Sequence, residues 1–218
     1  MTQIGFAMAW RRLLVEGRQY VTEGELRPLC AEMGRGYDSV VHYLQVHGYI
    51  VRVFRGVFYV KSADERERGY VRPDIHTLIA RALELRGVGR WYFALETALK
   101  LNGMTHEYYT LGTVVTGSYR TTKAIGIAGF RFRFLKWRRR MLGSGVVARK
   151  GLRFSDPEKT VLDLVFRRGY EGGARGRLDR PWAGRLLDQH GDSIDRKRLL
   201  GYLEMYPPWM GAGMKRLL

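Results

Sequence analysis

Cys30 is the only cysteine in the chain, so neither an internal disulfide nor a cysteine-cluster zinc site can form. The five histidines (His42, His47, His76, His106 and His190) lack H-E-x-x-H or any similar ligand spacing. No metal site is expected. Apolar runs of membrane-spanning length are missing, and in the N-terminal "MTQIGFAMAWRRLL" the charges follow the apolar residues, the reverse of a secretory signal. The expectation is a cytoplasmic protein with no membrane partner. There is no G-x-S-x-G, no G-x-x-x-x-G-K-(S/T), and no G-x-G-x-x-G between a strand and a helix. No catalytic residue is assigned and no cofactor is expected. Asn102 is the only asparagine and glutamines number four. This scarcity of thermolabile side chains fits a thermophile, while the excess of arginine over lysine also fits a GC-rich genome.

Acid is the scarcest charge. Twenty-one Asp/Glu stand against 38 Lys/Arg, for a formal net charge of +17. Such a balance favours a polyanion, either nucleic acid or an acidic protein. Residues 1–60 carry seven basic side chains against five acidic ones, whereas residues 73–150 carry fourteen against four. Between Glu107 and Asp156 no acidic residue occurs, yet eleven basic ones do. The excess is regional.

The chain has no internal repeat, and its natural break is the polar "KSADERERGYVRPD", Lys61 to Asp74. Two domains are expected, residues 1–62 and 73–218. In the first, "IGFAMAWRRLLVEG" places Phe6, Trp10, Leu13 and Leu14 at helical spacing. "TEGELRPLCAEMG" opens with Thr22 and Glu25 at capping-box spacing, although Pro28 suggests a late start or a kink. "DSVVHYLQVHG" offers Asp38 and Gly48 as caps. "YIVRVFRGVFYVKS" then reads as two strands joined around Arg55-Gly56. Three helices and a hairpin in this order make a winged helix-turn-helix.

In the second, "PDIHTLIARALELRG" is an amphipathic helix capped by Asp74, followed by a helix ending at Asn102-Gly103. Strand-like runs come next: "LGTVVTG", "KAIGIAG", "FRFRFLKW" and "GVVARKGLRFS". "SDPEKTVLDLVFRRG" starts a helix with Asp156 as cap and Pro157 at the first position. "LDRPWAGRLLDQHG" and "IDRKRLLGYLEMY" close the chain as helices. The expected fold class is α+β: an N-terminal winged helix-turn-helix, then a mixed domain with an antiparallel sheet and flanking helices.

Three constellations could carry function. On the "DSVVHYLQVHG" helix, Val40, Val41 and Leu44 should face the core while Ser39, His42, Tyr43 and Gln45 face outward. With Arg35 ahead of the helix and Arg52 and Arg55 on the wing, these residues can read base edges and grip phosphate in double-stranded DNA. A protein-interaction module is the alternative, because the helix itself carries no Arg or Lys. The second constellation is a basic surface of Arg120, Lys123, Arg131, Arg133, Lys136, Arg138, Arg139, Arg140, Arg149 and Lys150. Strand alternation sends Phe130, Phe132 and Phe134 to the core and Arg131 and Arg133 to the other face. That explains the alternation but not the unpaired cations around it, which suit nucleic acid or an acidic partner. The third is "DPEKTVLDL". Asp156, Glu158, Lys159 and Asp163 could form a nuclease cluster, but Asp156 and Glu158 suit a helix N-terminus and Lys159 can pair with Asp163 one turn on. A structural role is favoured.

These segments resemble the AbiEi family of antitoxin-like transcriptional regulators. The resemblance runs over roughly residues 20–170: "VRVFRGVFYV", "WYFALETALKLNGM", "TVVTGSYRTTKAIGIAGFRFRFLKWRRRMLG" and, most specifically, "GLRFSDPEKTVLDLVF". It implies an N-terminal domain that binds DNA and represses its own operon, and a C-terminal domain that neutralises a nucleotidyltransferase-type toxin. A homodimer is compatible with such a regulator. Most of the positive charge lies outside the winged helix, which departs from a simple repressor. A nucleic-acid-processing enzyme and a protein-interaction module with a basic docking surface stand as alternatives.

Overall fold

The computed structural model describes residues 3–171 and 176–218. The chain divides into two compact units, Met1–Gly87 with Gly126–Phe130, and Val88–Ile125 with Arg131–Leu218.

The first unit runs α1 (Gln3–Val15), β1 (Tyr20–Thr22), α2 (Glu23–Glu32), α3 (Tyr37–Val46), β2 (Ile50–Phe54), β3 (Val57–Val60), α4 (Ala63–Glu67) and α5 (Ile75–Leu85). Strands pair antiparallel in the order β1-β3-β2. This layout is compatible with a winged helix-turn-helix. Leu13, Leu26, Val40, Val41, Leu44, Ile50 and Phe58 close a common core. Thr22 donates its backbone N–H and its hydroxyl to Glu25 Oε2, both at 2.8 Å, and so holds the start of α2. The helix runs through Pro28. α3 starts two residues earlier than its sequence signal: Gly36, not Asp38, is the cap, and Asp38 sits in the first turn. The wing turns at Arg55-Gly56, where Gly56 adopts φ 75°, a conformation that costs glycine least. Its carbonyl accepts from the N–H of Glu23 at 2.8 Å, tying the turn to α2.

The division falls at Gly87 and not in the 62–73 segment. The reason is α5, whose buried face of Leu78, Ile79, Ala82 and Leu83 packs on β2 and β3. An amphipathic helix follows the surface that covers its apolar face, so α5 belongs to the first unit.

The second unit contains β4 (Trp91–Phe93), α6 (Glu96–Leu101), β5 (Leu111–Thr116), most of β7 (Phe130–Lys136), β8 (Val146–Arg149), β9 (Leu152–Ser155), α7 (Pro157–Glu171), α8 (Arg180–His190), α9 (Arg196–Tyr202) and α10 (Pro208–Met214). With β6 (Ile125–Ile127), the sheet order is β6-β7-β5-β4-β9-β8. The fold is α+β, with a sheet containing antiparallel pairs and flanked by helices. Two pairings, β5 with β7 and β4 with β9, run parallel. α7 is the central helix: residues 161–166 are buried without a break, as expected of a helix packed on all sides. Tyr92 and Val115 from the sheet meet it on one flank, with Leu199, Tyr206 and Met210 among its other neighbours.

Candidate nucleic-acid interface

The surface of α3 follows from its burial. Val40, Val41 and Leu44 are buried, which leaves Ser39 and His42 exposed and Gln45 at the edge. Tyr43 turns inward instead of facing out. Its ring stacks on Phe6 of α1 at 5.1 Å and on His47 at 4.1 Å, because an amphipathic aromatic ring gains more from a partner ring than from solvent. His42, Gln45, Asp38 and Arg52 border a depression of about 450 Å³ beside the helix.

Ion pairs distinguish the arginines of this unit. Arg12 pairs with Glu16 and Glu32, Arg18 with Glu25, Arg27 with Glu23, Arg68 with Asp64, and Arg81 with Glu84. Arg35, Arg52 and Arg55 are exposed and make no ion pair among the described residues. Arg35 and Arg52 lie over Phe6 and Phe58 at 5.5 and 5.8 Å. The cations next to α3 and on the wing are therefore not neutralised by any described carboxylate.

The charge asymmetry follows the structural division. The first unit holds thirteen Lys/Arg against ten Asp/Glu, the second twenty-five against eleven. Along β7, Phe132 and Phe134 are buried, Arg131 is exposed and Arg133 half-buried. Phe130 departs from the alternation at 49% exposure, because it stands at the first position of the strand. Arg120, Lys123, Lys136, Arg138, Arg139 and Arg140 are exposed and make no ion pair among the described residues. Arg149 and Lys150, at the β8–β9 turn, are also exposed, Arg149 lying over Phe154 at 5.5 Å.

Five of these cations, Arg120, Arg133, Lys136, Arg138 and Arg140, border two clefts of the second unit. One, of about 580 Å³, includes Arg133, Arg167, Arg168, Glu96 and Trp182. The other, of about 570 Å³, brings Arg120, Lys136, Arg138 and Arg140 against Trp137, Tyr170 and Trp209. Sequence reasoning missed the aromatic half of this second cleft, since Tyr170 and Trp209 lie far from β7 in the chain and have no local pattern linking them to it.

"DPEKTVLDL" forms an internal polar network. Asp156 Oδ1 accepts from Lys159 N–H at 2.8 Å and so caps α7, while Oδ2 accepts from Tyr202 at 2.8 Å. Glu158 accepts from the N–H of Asp195 at 2.8 Å, binding the start of α9 to α7. The Lys159 ammonium, fully buried, donates to the Met141 carbonyl at 2.7 Å and sits 3.3 Å from both Asp163 Oδ1 and the Tyr206 hydroxyl. Asp163 is also fully buried and accepts from the hydroxyls of Tyr92 and Tyr206. Burial pushes the Asp163 carboxyl up despite the opposing pull of Lys159 and the two hydroxyls. The Tyr92 and Tyr206 hydroxyls are pushed well above the ordinary phenol range, first by burial and then by the Asp163 charge. Burial raises Asp156 as well. Among the described residues no group of three or more His, Cys, Asp or Glu is placed to hold a metal ion. No described helix is long and apolar enough to cross a membrane.

No family model and no curated protein matches the chain. Among solved structures, the chain is similar to the crystal structure of the RV2827C protein from Mycobacterium tuberculosis, with a TM-score of 0.61 at 15% sequence identity. The match covers 99% of this chain and 76% of that one. At this identity the likeness concerns the fold.

Proposed function

We propose that the protein is a sequence-specific, double-stranded DNA-binding regulator of the antitoxin type. The observation that carries this reading is the α3 face of exposed Ser39 and His42 with half-buried Gln45 at its edge, flanked by Arg35, Arg52 and Arg55, which have no ion-pair partner among the described residues. A helix presented this way reads base edges in the major groove, and the wing arginines hold phosphate or the minor groove. The resemblance to AbiEi regulators supports autorepression of an operon and, through the second unit, neutralisation of a nucleotidyltransferase-type toxin. A homodimer in the cytoplasm accords with that role. The basic second unit adds affinity that is independent of sequence.

Band shifts with the DNA upstream of its own gene, at rising salt, test the reading. Retardation of that DNA in preference to a scrambled duplex is expected, and the preference should shrink in Arg52→Ala and His42→Ala. Equal binding to both duplexes would overturn the specific regulator. A nuclease built on Asp163 has less support, because that carboxylate is fully buried and already engaged by Lys159, Tyr92 and Tyr206.

A further inference from the structure

The cleft at the end of β7 has a composition that duplex binding does not use. Its aromatic side is one cluster centred on Phe166. Trp137 meets that ring edge-on at 5.0 Å, Tyr170 lies tilted at 5.4 Å, and Trp209 is stacked within 17° of parallel at 6.3 Å. Trp209 is held in place by a glycine. A Cβ at Gly169 of α7 would come within 2.6 Å of the Trp209 ring, so the indole lies directly on the helix. Tyr170 is 68% exposed, a large apolar area to leave in water. Around these rings stand Arg120, Lys136, Arg138 and Arg140, all exposed and without an ion pair among the described residues. Among the described residues no acidic side chain lines the cleft.

We propose that this cleft binds single-stranded nucleic acid, stacking an unpaired base on Tyr170 and Trp209 and seating the neighbouring phosphates on Arg120, Arg138 and Arg140. Aromatic platforms beside a cationic rim suit a strand that offers a π-face and a phosphate at every step. In a duplex the faces of the bases are stacked on one another and unavailable to the rings. An acidic peptide would satisfy the cations but would leave the rings without a role. A volume of about 570 Å³ is within the range of small-ligand sites, enough for a base with its sugar. The site lies wholly in the second unit, so it stands or falls independently of the α3 reading.

The test is fluorescence anisotropy on the full chain with labelled ten-nucleotide oligo(dT) and oligo(U), beside a blunt duplex of unrelated sequence. The single strands should bind more tightly than the duplex and quench tryptophan emission. Tyr170→Ala, at an exposed position, should weaken single-strand binding roughly tenfold while leaving duplex affinity unchanged, and Tyr170→Phe should retain it. Arg52→Ala should impair operator preference but not single-strand affinity, which separates failure of either proposal from the other. Unchanged single-strand affinity in folded Tyr170→Ala would overturn the inference. So would displacement of the oligonucleotide by polyglutamate at equal charge, which would make the cleft an acidic-protein site. Should Tyr170→Ala not fold, the tryptophan quench and the polyglutamate competition on the native chain decide the matter.

Discussion

Lys159 and Asp163 show how a charged pair can hold a core together. Both side chains are fully buried, one turn apart on α7, and every polar atom they expose to the interior meets the Met141 carbonyl or a tyrosine hydroxyl. Removing one partner leaves the other charge uncompensated in a low-dielectric interior, which typically costs about 3–5 kcal/mol. Asp163→Ala and Lys159→Met should each lose stability on that scale. Removing both charges removes the penalty as well as the attraction. The double variant Lys159→Met with Asp163→Leu should therefore be less destabilised than the sum of the two singles, by at least about 1 kcal/mol of coupling. Urea unfolding of the four proteins measures this directly. Strict additivity would mean that the pair is not the centre of the network.

At the scale of elements, Glu65 joins α4, the wing strand β3 and the segment leading to α5. Its carboxylate accepts from the Tyr59 hydroxyl and the Arg72 N–H, each at 2.7 Å, and from the Ser62 N–H at 2.8 Å. Burial works to raise its pKa, but the N–H groups of Arg72 and Ser62 and the Tyr59 hydroxyl bring it below the ordinary glutamate range. The folded value thus lies under the unfolded value of about 4.3. The stabilisation is complete above that unfolded value and is lost as pH falls through the folded one. The stability difference between the native chain and Glu65→Gln should be largest near neutral pH and shrink in acid. A difference constant from pH 7 to pH 3 would show that ionisation of Glu65 does not matter. Most element boundaries were legible because caps and periodicity are local: Thr22 with Glu25, Asp74, and Asp156 with Pro157 all act where their spacing places them. What could not be read depends on distant partners. The apolar face of α5 shows a helix but not which unit covers it. Gly112 looks like any strand glycine, yet it pairs with Phe132 across β5 and β7, and a Cβ there would lie 2.2 Å from that ring. Tyr43 and Phe130 followed their periodicity in sequence and departed from it in space, one drawn inward by Phe6 and His47, the other exposed at a strand end. The candidate site was legible as charge and illegible as a cleft, since of its clustered rings Phe166 and Tyr170 come from α7, Trp209 comes from the start of α10, and only Trp137 adjoins β7.

For the whole molecule, if the protein binds DNA as proposed, the division of charge separates specificity from affinity. The first unit pairs six of its thirteen cations with its own carboxylates (Arg12, Arg18, Arg27, Arg68, Arg72 and Arg81) and leaves Arg35, Arg52 and Arg55 without an ion pair among the described residues, whereas the second carries the excess. Contacts to phosphate release counterions, and each steepens the fall of log affinity with log salt by about 0.9 on duplex DNA. If Arg138, Arg139 and Arg140 all touch phosphate, reversing them to glutamate should flatten that slope by roughly 2 to 3. Affinity should then drop alike for the upstream DNA and for a scrambled duplex, with their ratio preserved. Arg52→Ala should do the opposite, lowering the ratio while changing the slope by about one contact at most. Titrations of both duplexes at four or more salt concentrations distinguish the two effects. A triple reversal that leaves affinity and slope unchanged would place this surface outside duplex binding. The proposed single-strand site and the proposed toxin contact would then remain as uses of the second unit's charge.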